Sequence, residues 1–263
     1  MTILTELWQQ RWLFLTFVRR EVTSRYSGTI AGGLWALGQP VLLLMIYGFV
    51  FRKVFKVGFP ELGEHSFVAF VACALWPWMA FQEGVQRATH AVVGNSGLVK
   101  KVHFPHELLV FASIGATFFI HFVGFMVVIC ALALGGEPFR FSGLPVVLMG
   151  WLALLLLASA IALVTASFQV FLKDIDHMLG PALMIMFYVT PILYPTTQVP
   201  ESVRWIVAFN PLVHLLEPIR AGLMHGDLAA FGQLTLFVLG GGVAVFAAVL
   251  LFRRLSDYFE DFI

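Results

Sequence analysis

Few side chains in this chain could do chemistry, and most of them lie away from the middle of its apolar runs. Glu83 is the one carboxylate inside a run long enough to cross a bilayer, and it falls near one end of that run. Ion-coupled carriers keep ionisable groups at mid-membrane as relays, so a proton- or sodium-driven carrier is not expected. His106-Glu107 opens like the helical zinc-protease motif, but Val110 stands where the second histidine would be. No G-x-x-x-x-G-K-[ST] run occurs, so the chain cannot hold ATP in a P-loop of its own, and no G-x-S-x-G elbow occurs either. Cys73 and Cys130 each sit inside an apolar run and read as small buried hydrophobes. No catalytic residue, no metal ligand set and no cofactor bound by this chain is expected.

The elements that would carry these residues belong to a membrane. Of 263 residues, 60% are hydrophobic and 12% charged, with a mean hydropathy of +0.90; a soluble domain has about 45–50% apolar and about 25% charged residues. So much apolar surface cannot be hidden in one core of this size. A net charge of +1 leaves no dominant basic face for nucleic acid. The expected fold is an all-α membrane protein with six transmembrane helices, because a span needs about 20 apolar residues. The spans fall at about 27–51, 66–90, 107–135, 143–170, 178–196 and 230–252, and one membrane domain covers residues 25–263. Residues 1–24 read as an amphipathic interfacial helix, with Trp8 and Trp12 beside snorkelling Arg11 and Arg19. Ten of the sixteen Lys and Arg residues fall on the N-terminal side of this arrangement, which predicts cytoplasmic N- and C-termini. Between spans 5 and 6, Val203–Leu216 is about half a bilayer long and is broken by Asn210-Pro211; short re-entrant helices are expected there.

Several landmarks occur in order: Arg25-Tyr26 with Thr29, Gly32, Trp35 and Pro40; Pro77-Trp78; the run Leu98-Val99-Lys100-Lys101-Val102-His103-Phe104-Pro105; Lys173-Asp174; Pro191-Ile192-Leu193-Tyr194-Pro195; Asn210-Pro211; and Arg220. Together they resemble the ABC-2 permeases that export polysaccharides, over about residues 19–225. Thr29, Ala31, Val110 and Lys173 depart from the family's usual Ser, Leu, Pro and Arg. The resemblance implies the transmembrane permease subunit of an ABC exporter for lipid-linked O-antigen, capsule or teichoic acid, in the bacterial inner membrane. It implies a homodimer with two copies of a separate ATPase that binds ATP and Mg. Lys100, Lys101, Val102, His103, Phe104, Pro105 and His106 would form the coupling helix between spans 2 and 3 that docks on that ATPase. On spacing alone, Lys100 and Lys101 equally suit a pair that only enforces topology.

The resemblance also gives the aromatic residues a reading. Phe, Trp and Tyr make up 15% of the chain, and most must face lipid or the interfacial belts. Trp35, Tyr47, Trp76, Trp78, Tyr188 and Tyr194 are expected to face a conduit. Sugar C–H faces stack on rings, and a sliding polymer needs weak repeated contacts without a deep well. Arg25 and Tyr26 would meet a lipid-linked head group or the docked ATPase. His121, inside the third span, is expected to be a neutral, hydrogen-bonded packing residue. Two other functions remain open at this stage: an ABC-2 exporter of a drug or lipid, and an intramembrane enzyme of glycan or lipid metabolism.

Overall fold

The computed structural model describes residues 10–25, 28, 32–55 and 62–263, and among them there is no β-strand. Residues 1–9, which hold Leu4 and Trp8 of the expected surface helix, and Tyr26 lie outside the described residues. The described part of that helix is α1, Arg11–Ser24. It buries Phe17 and turns Trp12 and Leu15 outward.

Five helical stretches are long and apolar enough to cross a membrane: Gly32–Phe49, Phe67–Thr89, Glu107–Leu134, Phe141–Phe171 and Phe231–Ser256. They contain α2 (Trp35–Phe49), α3 (Phe67–Thr89), α5 (Glu107–Leu134), α6 (Leu144–Phe171) and α10 (Phe231–Ser256). The short α4 (Ser96–Val99) follows α3. The fifth expected span, 178–196, is a shorter helix that starts earlier: α7, Asp174–Val189, has 16 residues, about 24 Å at the helical rise. It stops where Thr190 folds its hydroxyl back onto the Met186 carbonyl at 2.7 Å and Pro191 follows; a proline has no N–H with which to continue a helix.

The break predicted at Asn210-Pro211 divides α8 (Arg204–Phe209) from α9 (Pro211–His225). The Asn210 side chain caps α9 by accepting the Leu212 N–H at 3.0 Å, and its amide reaches the Thr190 hydroxyl at 2.8 Å. Only α9 goes deep. It packs against α3 and α6 and buries ten of its side chains or backbone positions. The approach is close because glycines permit it: a Cβ on Gly143 would overlap the Gly222 carbonyl, and one on Gly150 would press into Ile219. Gly226 ends α9 with φ of 69°.

α3 is the centre of the molecule, buried on nearly all sides between α5, α6 and α9. α2 and α10 lie at the periphery and expose most of their apolar length. The last turn, α11 (Phe259–Phe262), folds under the bundle with Phe259 fully buried.

Candidate functional site

A candidate site is a cavity of about 530 Å3 between α2, α3, α5 and α7. One part of its wall is aromatic. Trp78 and Phe187 lie 5.7 Å apart, Tyr47 stacks on Phe187 at 6.4 Å, and Tyr188 meets Phe187 edge-on at 5.3 Å. Trp35 lines the same cavity and is more than half exposed, so it sits at the rim.

The other part is polar and converges on Glu83. Its Oε1 accepts from Arg25 Nη2, in an ion pair whose arginine side chain is almost wholly buried, and from Arg87 Nε at 2.8 Å. Its Oε2 is 2.7 Å from His121 Nε2. Gln82 accepts the Trp78 indole N–H at 2.9 Å, which links the polar part to the aromatic one. His121 therefore has the hydrogen-bonded role expected of it, with a carboxylate as its partner.

Five of the expected conduit residues, Arg25, Trp35, Tyr47, Trp78 and Tyr188, share this cavity. Trp76 does not line it. Residues two apart on a helix face nearly opposite directions, and the Trp76 indole packs fully buried beside Gly124 and Leu37. Tyr194 lines a second cavity of about 400 Å3 with Tyr188, Val199 and Val207, and its hydroxyl donates to the Tyr188 carbonyl at 2.8 Å. Tyr188 thus belongs to both cavities.

Sequence reasoning gave Gln39, Gln82, Gln86 and Arg87 no place in the site, although all four line the larger cavity. A signal was present. Gln82, Glu83, Gln86 and Arg87 recur at i, i+1, i+4 and i+5, a polar stripe on one face of an otherwise apolar helix.

The expected coupling residues are a turn rather than the helix expected of them, at the end of the bundle where α3 finishes and α5 begins; helix stops at Val99 and resumes at Glu107. Lys100, Lys101, Val102 and His103 are exposed, whereas Phe104 is buried against Phe17 of α1 at 5.6 Å. Arg20 of α1 donates to the Asn95 side chain just before α4. His106 precedes α5, meets Phe104 at 5.1 Å and stacks on Phe259 at 6.3 Å. Burial there pushes its imidazole below the ordinary value, against the opposing pull of Glu107 and Glu260. Arg253 closes the corner, with its Nε 2.7 Å from Glu107 Oε1. The turn is anchored on both sides, and Lys100 and Lys101 stay exposed.

Arg220 is buried. Its Nε donates to the Phe70 carbonyl at 3.2 Å, its Nη2 to the carbonyls of Pro191 and Ile192 at 3.1 and 3.0 Å, and its Nη1 to Glu217 at 2.5 Å. It pins the turn after α7 to α3 and so sets where Tyr194 stands.

Residues 13–224 match the ABC-2 type transporter family. The chain is similar to the O-antigen export system permease protein RfbA of Myxococcus xanthus, 29% identical over 98% of each chain. It is similar to the polysialic acid transport protein KpsM of Escherichia coli, 23% identical over 90% of this chain and 91% of the relative. The capsule polysaccharide export inner-membrane protein CtrC of Neisseria meningitidis serogroup B is 21% identical over 86% of each chain.

Proposed function

The chain belongs to the ABC-2 type transporter family, and from that premise we propose that it is the membrane-spanning permease subunit of an ATP-driven exporter. Its cargo is a lipid-linked polysaccharide, O-antigen-like or capsule-like, moved from the cytoplasm across the inner membrane. The observation that carries this reading is the near end-to-end likeness to relatives named for O-antigen, polysialic acid and capsule polysaccharide. The cavity supports it, because rings that can stack on sugars stand next to a cationic floor that suits an anionic head group.

In this reading the chain is not an enzyme by itself. Two copies of a separate ATPase bind ATP and Mg and dock on Lys100–His106 and on α1, whose Phe17 and Arg20 hold that turn. Two copies of the permease pair across α2, which rims the cavity with Trp35 and exposes Leu42, Met45 and Phe49. α7 is the short fifth span, so six spans leave both termini in the cytoplasm. Arg25 belongs to the pathway, where it is held by Glu83 until cargo arrives. Gene deletion tests the cargo: surface glycan should vanish while polymer accumulates inside. Unchanged surface glycan rejects polysaccharide in favour of a drug or lipid cargo. Failure of the chain to co-purify with the product of an adjacent ATPase gene rejects the transporter reading itself.

A further inference from the structure

The end of the bundle farthest from Lys100 holds a second group of titratable side chains that the transport reading leaves unused. Three segments meet there: residues 62–66 leading into α3, the turn 135–140 after α5, and the last turn of α9. His65 touches all three. Its Nε2 lies 2.8 Å from the Met224 carbonyl oxygen and its Nδ1 3.2 Å from Glu137 Oε1. The same Oε1 accepts the N–H of Ser66, the residue that caps α3, at 2.8 Å. Phe139 stacks on the His65 ring at 6.3 Å. Side chains of His65 and Glu137 are 7% and 11% exposed.

The hydrogen bonds fix a proton count. A carbonyl oxygen only accepts, so Nε2 must carry a hydrogen. An ionised carboxylate also only accepts, so Nδ1 must carry one too; otherwise the hydrogen sits on Glu137 and Nδ1 accepts it. Either way the pair holds one proton more than a neutral imidazole and a carboxylate would. We infer that His65 and Glu137 form a proton-dependent latch that ties α3, the α5–α6 turn and α9 together, and that loss of the shared proton releases the end of α9. Without that proton, a lone pair on Nδ1 faces a carboxylate. Arg220 stands five residues before His225 and grips the turn that carries Tyr194, so release of α9 reaches the wall of the second cavity.

Every packed element contributes a neighbour. Glu64 comes from the His65 segment and Arg140 from the turn, and with His225 of α9 they line an adjoining space of about 310 Å3. His225 lies edge-on to His65 at 5.6 Å, and Cys73 of α3 is within electrostatic reach of Glu137. Loss of the shared proton as pH rises opens the latch.

That this end samples periplasmic pH rests on the proposed topology; the latch itself does not. Hydrogen exchange at the Ser66 and Arg140 amides is measured on the complete complex in nanodiscs from about pH 6 to about pH 9, in wild type and Glu137→Gln. A glutamine amide can donate to Nδ1 of a neutral imidazole, so the variant stays latched throughout, and the ratio of the two proteins cancels intrinsic exchange. Wild type should lose protection relative to the variant by roughly tenfold or more at the alkaline end. Identical profiles overturn the latch. The states of the His65 ring and of the Glu137 carboxyl in wild type, read by nitrogen and carbon NMR, are independent of any variant: an unprotonated Nδ1 beside an ionised Glu137 carboxylate throughout this range also overturns it. Neither readout depends on the cargo, so a failure here is separate from a failure of the export reading.

Discussion

The Oε2 atom of Glu83 lies 2.7 Å from Nε2 of His121, a bond that joins α3 to α5 in the wall of the larger cavity. Through its other oxygen the same carboxylate holds Arg25, the residue directly after α1, and Arg87 one turn along α3. The end of α1, the central helix α3 and the cavity floor are therefore tied at one side chain.

Glu83→Gln should break this junction. It removes the Glu83 carboxylate from the buried Arg25 guanidinium, and breaking a fully buried pair costs about 3–5 kcal/mol. Glu83 is a third exposed, so the expected loss is smaller, about 1–3 kcal/mol. Thermal unfolding in detergent measures it. Arg25→Gln combined with Glu83→Gln should cost less than the sum of the single changes; strict additivity would mean that the two residues are not coupled.

Trp76 and Trp78 should respond differently although only Pro77 separates them. Trp78 faces the cavity and Trp76 is sealed beside Gly124. Trp76→Ala should destabilise the fold by about 3–5 kcal/mol. Trp78→Ala should lower export of polymer severalfold at normal expression, with the basal ATPase rate of the complex retained. Cell-surface glycan staining beside a membrane-fraction blot distinguishes the two outcomes.

What was legible in the sequence follows from the range of each interaction. The five long helices were legible because a run without charges is a local signal, and so was the break at Asn210-Pro211. The depth of α9 was not, since it depends on glycines at 143 and 150 meeting Gly222 and Ile219 from a distant part of the chain. The burial of Arg220 was not legible either, since its three carbonyl acceptors come from Phe70, Pro191 and Ile192, far away in the chain. The partners of Glu83 stand 58 and 38 residues away; its stripe was readable, but its pairing was not.

If Lys100–His106 is the dock proposed above, its exposed cations should matter to a partner and little to the fold. Lys100→Glu with Lys101→Glu should reduce ATPase co-purification by about tenfold or more, because reversing rim charges turns attraction into repulsion, with membrane insertion unchanged. Phe104→Ala removes the anchor on Phe17 and should weaken association by a different route, through a turn that no longer holds its shape. Co-purification unaffected by the charge reversal would place the dock elsewhere.

Acid should loosen the same corner through His106. Burial holds its imidazole below the ordinary value, so the folded form keeps it neutral while the unfolded chain takes up a proton near pH 6.5. The unfolded state then binds more protons, and stability is lost as pH falls from the unfolded value towards the lowered folded one, while it is fully present above both. His106→Phe keeps a ring for stacking on Phe259 and should abolish this contribution. Thermal midpoints at about pH 7.5 and about pH 5.5 should lie closer together in the variant than in wild type.

Arg220→Lys is the sharpest test of the turn after α7. A guanidinium reaches the carbonyls of Phe70, Pro191 and Ile192 and the Glu217 carboxylate at once through a planar fork, and a single ammonium cannot span them. Charge is kept, so any loss reports geometry. The buried carbonyls left unpaired should each cost about 1–3 kcal/mol, and the thermal midpoint should fall accordingly. Tyr194 would then lose its fixed distance to Tyr188, and export should drop more steeply than ATPase binding, for which the proposed dock lies at the far end of the bundle. If Arg220→Lys exports normally, the turn is positioned by something other than this arginine.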